Sequence, residues 1–158
     1  MRTTLTLAII TLGASAAGCG MMNRSSGTEI SAASDTRNNW TATLATPSTL
    51  AGAVQLHGTA SWMRDGNDSK VMVSISNATP GGRHPWHVHS GRCGSNGPIV
   101  GNPGAYKALE VNGDGNASES ASLSIPLPYM NDYYVNIHAA ANNMGTIVAC
   151  GNLAPPVH

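Results

Sequence analysis

The segment from Val54 to Ser76 constrains this chain more than any other, because its pattern fits a β-hairpin. Lys70-Val-Met-Val-Ser-Ile-Ser76 alternates apolar and polar residues, the period of two that a strand with one buried face requires. Val54 to Met63 reads as the strand before it, and Asp65-Gly66-Asn67-Asp68 supplies the turn between them. The same pattern recurs along the chain. Strands are expected from Trp40, over 85–90, over 106–111, through the alternation of 117–127, over 133–138 and over 146–150. Pro80-Gly81-Gly82, the glycine-rich stretch 91–104 and Asn112-Gly-Asp-Gly-Asn116 read as the turns and loop between them. Seven or eight short strands without a helix predict an all-β fold, an antiparallel sandwich or flattened barrel.

Composition agrees with that reading and excludes one function class. The 158 residues include 18 Gly and 9 Pro but no Phe, and suit a single domain with a substantial core. Only 10% are Asp, Glu, Lys or Arg, and the formal net charge is zero. Nucleic-acid binding needs a concentrated basic surface, so no nucleic-acid partner is expected.

The N-terminus reads as a leader. Arg2 precedes the apolar run Leu5–Leu12, too short to span a bilayer, and small residues follow up to Ser15-Ala-Ala-Gly-Cys19. That ending resembles a bacterial lipobox. It makes 1–18 a lipoprotein signal peptide and Cys19 the lipid-bearing residue that anchors the protein to a membrane. The alternative is an ordinary secretory signal cleaved near Ala17. Residues 19–38 are polar and aperiodic and read as a tether, leaving 39–158 as the folded domain. The expected location is the cell envelope, and Gly20 after Cys19 favours the outer membrane. With Cys19 assigned to lipid, Cys93 and Cys150 remain as a pair in an oxidising compartment. A disulfide between them would contribute roughly 2–4 kcal/mol.

Chemistry concentrates in His84-Pro-Trp-His-Val-His89. On a strand, His87 and His89 share a face, and two same-face imidazoles make a plausible site for copper or zinc. His138, ending the strand Tyr133–Ile137, is the natural third ligand; otherwise it is a core histidine bonded to backbone. His84 lies at an odd offset and is read as a structural histidine that braces a loop by hydrogen bonding. Trp86 alternates with the pair and is expected in the core. His57 reads as a surface or edge residue, and His158 as a terminal one.

At these residues the chain resembles the copper/zinc superoxide dismutase family. His84-Pro-Trp-His-Val-His89 is similar to the family's H-G-F-H-V-H strand, with Pro85 and Trp86 in place of Gly and Phe. Cys93-Gly-Ser-Asn-Gly-Pro98 resembles the segment with its first disulfide cysteine. Val135-Asn-Ile-His138 and Gly145-Thr-Ile-Val-Ala-Cys150 resemble its last copper ligand and second cysteine. The likeness covers about residues 40–153. It implies an eight-stranded Greek-key barrel, copper on His87, His89 and His138, a Cys93–Cys150 disulfide, and superoxide as substrate.

The departures are specific. Where the family has a histidine bridging copper and zinc, Gly97-Pro-Ile-Val-Gly-Asn-Pro103 has none, so zinc is not expected. Asp114 lies near the family's zinc-binding aspartate without histidine partners. The long loop after the last ligand shrinks to 139–145, and the anion-docking arginine falls on Ile147. Arg83 and Arg92 are the candidates to guide an anion in its stead. Three readings stay open: a copper-dependent superoxide dismutase, a copper buffer or carrier on the same fold without turnover, and a β-sandwich that keeps the family core for structural or interaction reasons.

Overall fold

The computed structural model describes residues 39–50, 52 and 55–156. The leader, Cys19, the tether and His158 lie outside them. The described residues form nine strands and two short 3₁₀ turns. The strands are β1 (Trp40–Ala45), β2 (His57–Asp65), β3 (Asp68–Ser76), β4 (Arg83–His84) and β5 (Trp86–Ser90). The rest are β6 (Leu109–Glu110), β7 (Ala117–Leu123), β8 (Tyr133–Ala140) and β9 (Asn143–Leu153).

The fold is all-β, as the alternation predicts. Seven strands make one curled antiparallel sheet in the order β5-β8-β9-β1-β2-β3-β7. The β4–β6 ribbon pairs Arg83 with Glu110 and His84 with Leu109. It lies between the free edges of that sheet, since β4 runs through Pro85 into β5 and β6 packs against β7. The result is a flattened barrel in which the chain crosses from β3 to β5 on the far edge, back to β7, and again to β8.

Each strand puts one face inward. In β3, Val71, Val73 and Ile75 are buried while Met72 is exposed. In β5, Trp86 and Val88 are wholly buried in the core and the histidines occupy the alternate positions. Trp86 donates its indole N–H to the Lys107 carbonyl at 2.7 Å, which gives its polar edge a partner inside. The hairpin turn is Gly66-Asn67, with Gly66 at φ +63°, the primed geometry that matches strand twist.

Several strand limits differ from the sequence reading. The expected strand 106–111 shrinks to Leu109–Glu110, because Pro103–Ala105 is a 3₁₀ turn that delivers Tyr106 sideways into the core. β7 stops at Leu123, ahead of Pro126 and Pro128, which lack the N–H a ladder needs. The supposed loop 139–145 is no loop: β8 and β9 continue to the pair Ala140–Asn143, joined by Ala141-Asn142.

Candidate metal centre

β5 and β8 build the site together. Their antiparallel register sets His87 opposite Asn136 and His89 opposite Tyr134. His138 follows on the same face of β8 and sits at a register break against β9, between the pairs Ile137–Ala149 and Ala140–Asn143. A bulge of this kind re-aims a side chain, and here it falls on a candidate ligand. The structure thus brings together His87, His89 and His138. One ring nitrogen of each lies within 4.8 Å of the others, and all three residues are buried.

Two of the rings are fixed by backbone carbonyls. His89 Nδ1 lies 2.8 Å from the Gly97 oxygen, and His138 Nδ1 lies 2.7 Å from the Met144 oxygen. A carbonyl can only accept, so each Nδ1 carries the proton and each Nε2 keeps its lone pair. His89 Nε2 is buried without a hydrogen-bond partner. His87 presents the other nitrogen, its Nδ1 facing His138 Nε2 at 3.4 Å. Tyr134 stacks on His89 with centroids 5.1 Å apart, and Tyr106 meets His87 edge-on at 5.2 Å. Burial pushes the Tyr106 phenol up to about 12, so it stays protonated, and it donates to the Val100 carbonyl at 2.7 Å.

The electrostatics favour the neutral form, which a metal needs, at His87 and His138. Burial, with His138 and then His89 nearby, lowers the His87 pKa to about 4. Burial also lowers that of His138, against the Met144 hydrogen bond, and His89 adds to the lowering. A metal–nitrogen distance of about 2.0–2.1 Å sets the donors about 3.3–4.2 Å apart, so a closure of at most about 1.5 Å from the present 4.8 Å completes the set. Three convergent imidazoles, of which His89 and His138 have carbonyl partners at Nδ1 and His89 also has a buried Nε2 without a partner, could hold a metal ion.

The depressed His87 pKa has a consequence for stability. The unfolded chain binds a proton there below pH 6.5, whereas the folded chain resists it to about pH 4. The stabilisation is therefore complete above pH 6.5 and is lost as pH falls towards 4, on the order of 3 kcal/mol from this residue. In chelator-treated protein, the urea midpoint at pH 4.5 should fall well below that at pH 7. A His87→Ala variant should show a smaller drop.

The loop that follows β5 is held over the site. Val100 N–H donates to Val88 and Ser90 N–H to Pro98, so Pro98–Val100 runs along the outer edge of β5. The Cys93–Cys150 disulfide ties this loop to β9, with the Cα atoms 6.0 Å apart. Gly97 is required by close approach, because a Cβ there would overlap the Ser90 carbonyl oxygen. Gly97→Ala should push the carbonyl away from His89 and weaken metal binding roughly 10- to 100-fold, the usual effect of losing an outer partner. Competition against a chelator measures it.

The other predicted residues fall as follows. His84 donates from Nδ1 to the His138 carbonyl at 3.0 Å, so it braces the ligand strand rather than a loop. Arg83 pairs with Glu110 at 3.4 Å, and Arg92 makes two 3.0 Å bonds to Asp132; all four side chains are exposed. His57 is exposed on β2, and Asp114 is an exposed turn residue whose N–H bonds Asn112. Sequence reasoning missed Gly97, Tyr106, Tyr134 and Met144. Gly97 and Met144 act through main-chain oxygens, which carry no side-chain signature. No protein-family model and no curated protein matches this chain.

Proposed function

We propose that His87, His89 and His138 hold copper and that the protein is a copper-dependent superoxide dismutase-like protein of the cell envelope. The observation that carries the reading is the convergence of three imidazoles, two of which, His87 and His138, burial keeps neutral. An all-imidazole donor set suits copper, and the resemblance of 84–98 and 135–151 to the copper half of the dismutase site selects it over zinc. Copper there supplies a one-electron couple, which is what dismutation needs: one superoxide oxidised to oxygen, a second reduced and doubly protonated to hydrogen peroxide.

The chain's own residues set the conditions. Gly97 and Met144 orient two rings, His84 steadies the His138 backbone, and the disulfide fixes the loop that covers β5. Near-zero net charge gives superoxide little electrostatic steering, so turnover should lie below the diffusion limit and respond weakly to ionic strength. A second reading, a copper buffer or carrier, is favoured by the engagement of Arg83 and Arg92 with carboxylates.

The test is metal content followed by turnover. Stoichiometric Cu(II) with a nitrogen-ligand spectrum that bleaches and recovers under superoxide supports the enzyme. Stable copper without such cycling moves the assignment to the carrier. Failure to bind copper at all defeats both.

A further inference from the structure

The loop that fixes His89 is itself held by two side chains of β8 and β9. Tyr134 and Asn152 are register partners, so they stand side by side on one face. Asn152 Oδ1 accepts from the Cys93 N–H at 2.8 Å, and the Tyr134 hydroxyl oxygen accepts from the Gly97 N–H at 3.0 Å. Gly97 is also the residue whose carbonyl accepts from His89 Nδ1 at 2.8 Å. On its other side Tyr134 is the register partner of His89, and the two rings stack with their planes 19° apart.

Phenol, glycine and imidazole therefore close a ring. Its weak point is the glycine. A Cβ at 97 would overlap the Ser90 carbonyl, yet glycine has the widest choice of backbone conformation of any residue. The direction of its carbonyl depends on what holds the chain on either side. After Gly97 the hold is the Ser90 N–H on the Pro98 carbonyl. At Gly97 itself it is the Tyr134 hydroxyl. Tyr134 is wholly buried, so filling space would need only its ring, whereas the hydroxyl meets one particular N–H.

We infer that Tyr134 is a positioning residue of the metal centre: its hydroxyl holds Gly97 so that His89 keeps its proton on Nδ1 and offers Nε2 to the metal, while its ring fixes the plane of that imidazole. An outer partner of this kind selects which ring nitrogen a histidine presents. The role rests on the three-histidine reading of the site and deepens it. It does not depend on which metal is held or on turnover.

The experiment compares the full chain with its Tyr134→Phe variant, which keeps the ring and drops the hydroxyl. Both are ¹⁵N-labelled and freed of metal by a chelator. In the variant the Gly97 amide should exchange with solvent roughly three- to ten-fold faster, the worth of one hydrogen bond. The His89 ring ¹⁵N shifts should move from a single Nδ1–H tautomer towards a mixture. Cu(II) affinity, read by chelator competition after reloading, should fall by a similar three- to ten-fold. Asn152→Ala frees the same loop at Cys93 but leaves the Gly97 bonds in place, so it should leave the His89 shifts unchanged. Unchanged His89 shifts and copper affinity in a folded Tyr134→Phe protein would make Tyr134 a core residue only and overturn the inference. Equal changes in the Asn152→Ala protein would assign the effect to the loop as a whole and overturn it too. If the phenylalanine variant fails to fold, the unaltered protein still decides: an unprotected Gly97 amide or a mixed His89 tautomer rejects the role. Exchange and ring shifts are read without metal, so a chain that binds no copper leaves this test standing, and its failure leaves the copper reading intact.

Discussion

A His87→Ala/His89→Ala double variant is expected to lose more than about a hundred-fold in Cu(II) affinity, beyond what loss of an outer partner alone costs. Two of the three convergent donors disappear, and His138 alone offers a single nitrogen. The fold should survive, because Trp86 and Val88, which anchor β5 in the core, point the other way. Stability at pH 7 is therefore expected to hold, and the acid lability that His87 contributes should diminish. Chelator competition and urea unfolding on one preparation separate the two effects. Unchanged copper affinity in a folded variant would show that the donors lie elsewhere.

Removing the disulfide should have the other large effect. The bond spans 57 residues, and the chain-entropy account puts closing such a loop at about 4 kcal/mol, with measured losses in the range of roughly 2–4 kcal/mol. A Cys93→Ala/Cys150→Ala variant should lose stability of that order. It should also bind metal more weakly, because the disulfide holds the loop whose Gly97 carbonyl orients His89. The Cys93 N–H bond to Asn152 Oδ1, at 2.8 Å, remains as a second tie, so the loop should loosen without detaching. A stability loss with metal affinity unchanged would mean that the edge pairing of Pro98–Val100 with β5 suffices to place Gly97.

The hairpin β2–β3 was legible because its alternation and its Gly66 turn are both local signals. The end of β7 was less so: the alternation runs on to Leu127, but main-chain pairing stops before the two prolines. The β8–β9 connection was misread as a loop. Ala139-Ala140-Ala141-Asn142 has little strand character, and pairing with β9 rather than propensity extends the ladder through it. Tyr106 and Tyr134 read as strand-forming aromatics, and only their packing against His87 and His89 marks them as part of the site.

What the sequence determined by itself was whatever depends on near neighbours. That covers the all-β class, most of the turns, the burial of Trp86, and the common face of His87 and His89, since a period of two is a property of any extended strand. Tertiary structure decided what depends on distant segments meeting. His87 and His138 are 51 residues apart, and they converge because β5 pairs with β8 in one register and a bulge turns the second ring towards the first. The proton positions on His89 and His138 follow from the Gly97 and Met144 carbonyls, and the carboxylate partners of Arg83 and Arg92 from separate surface contacts. Main-chain oxygens are the same in every residue, so their placement against an imidazole is written only in the folded chain.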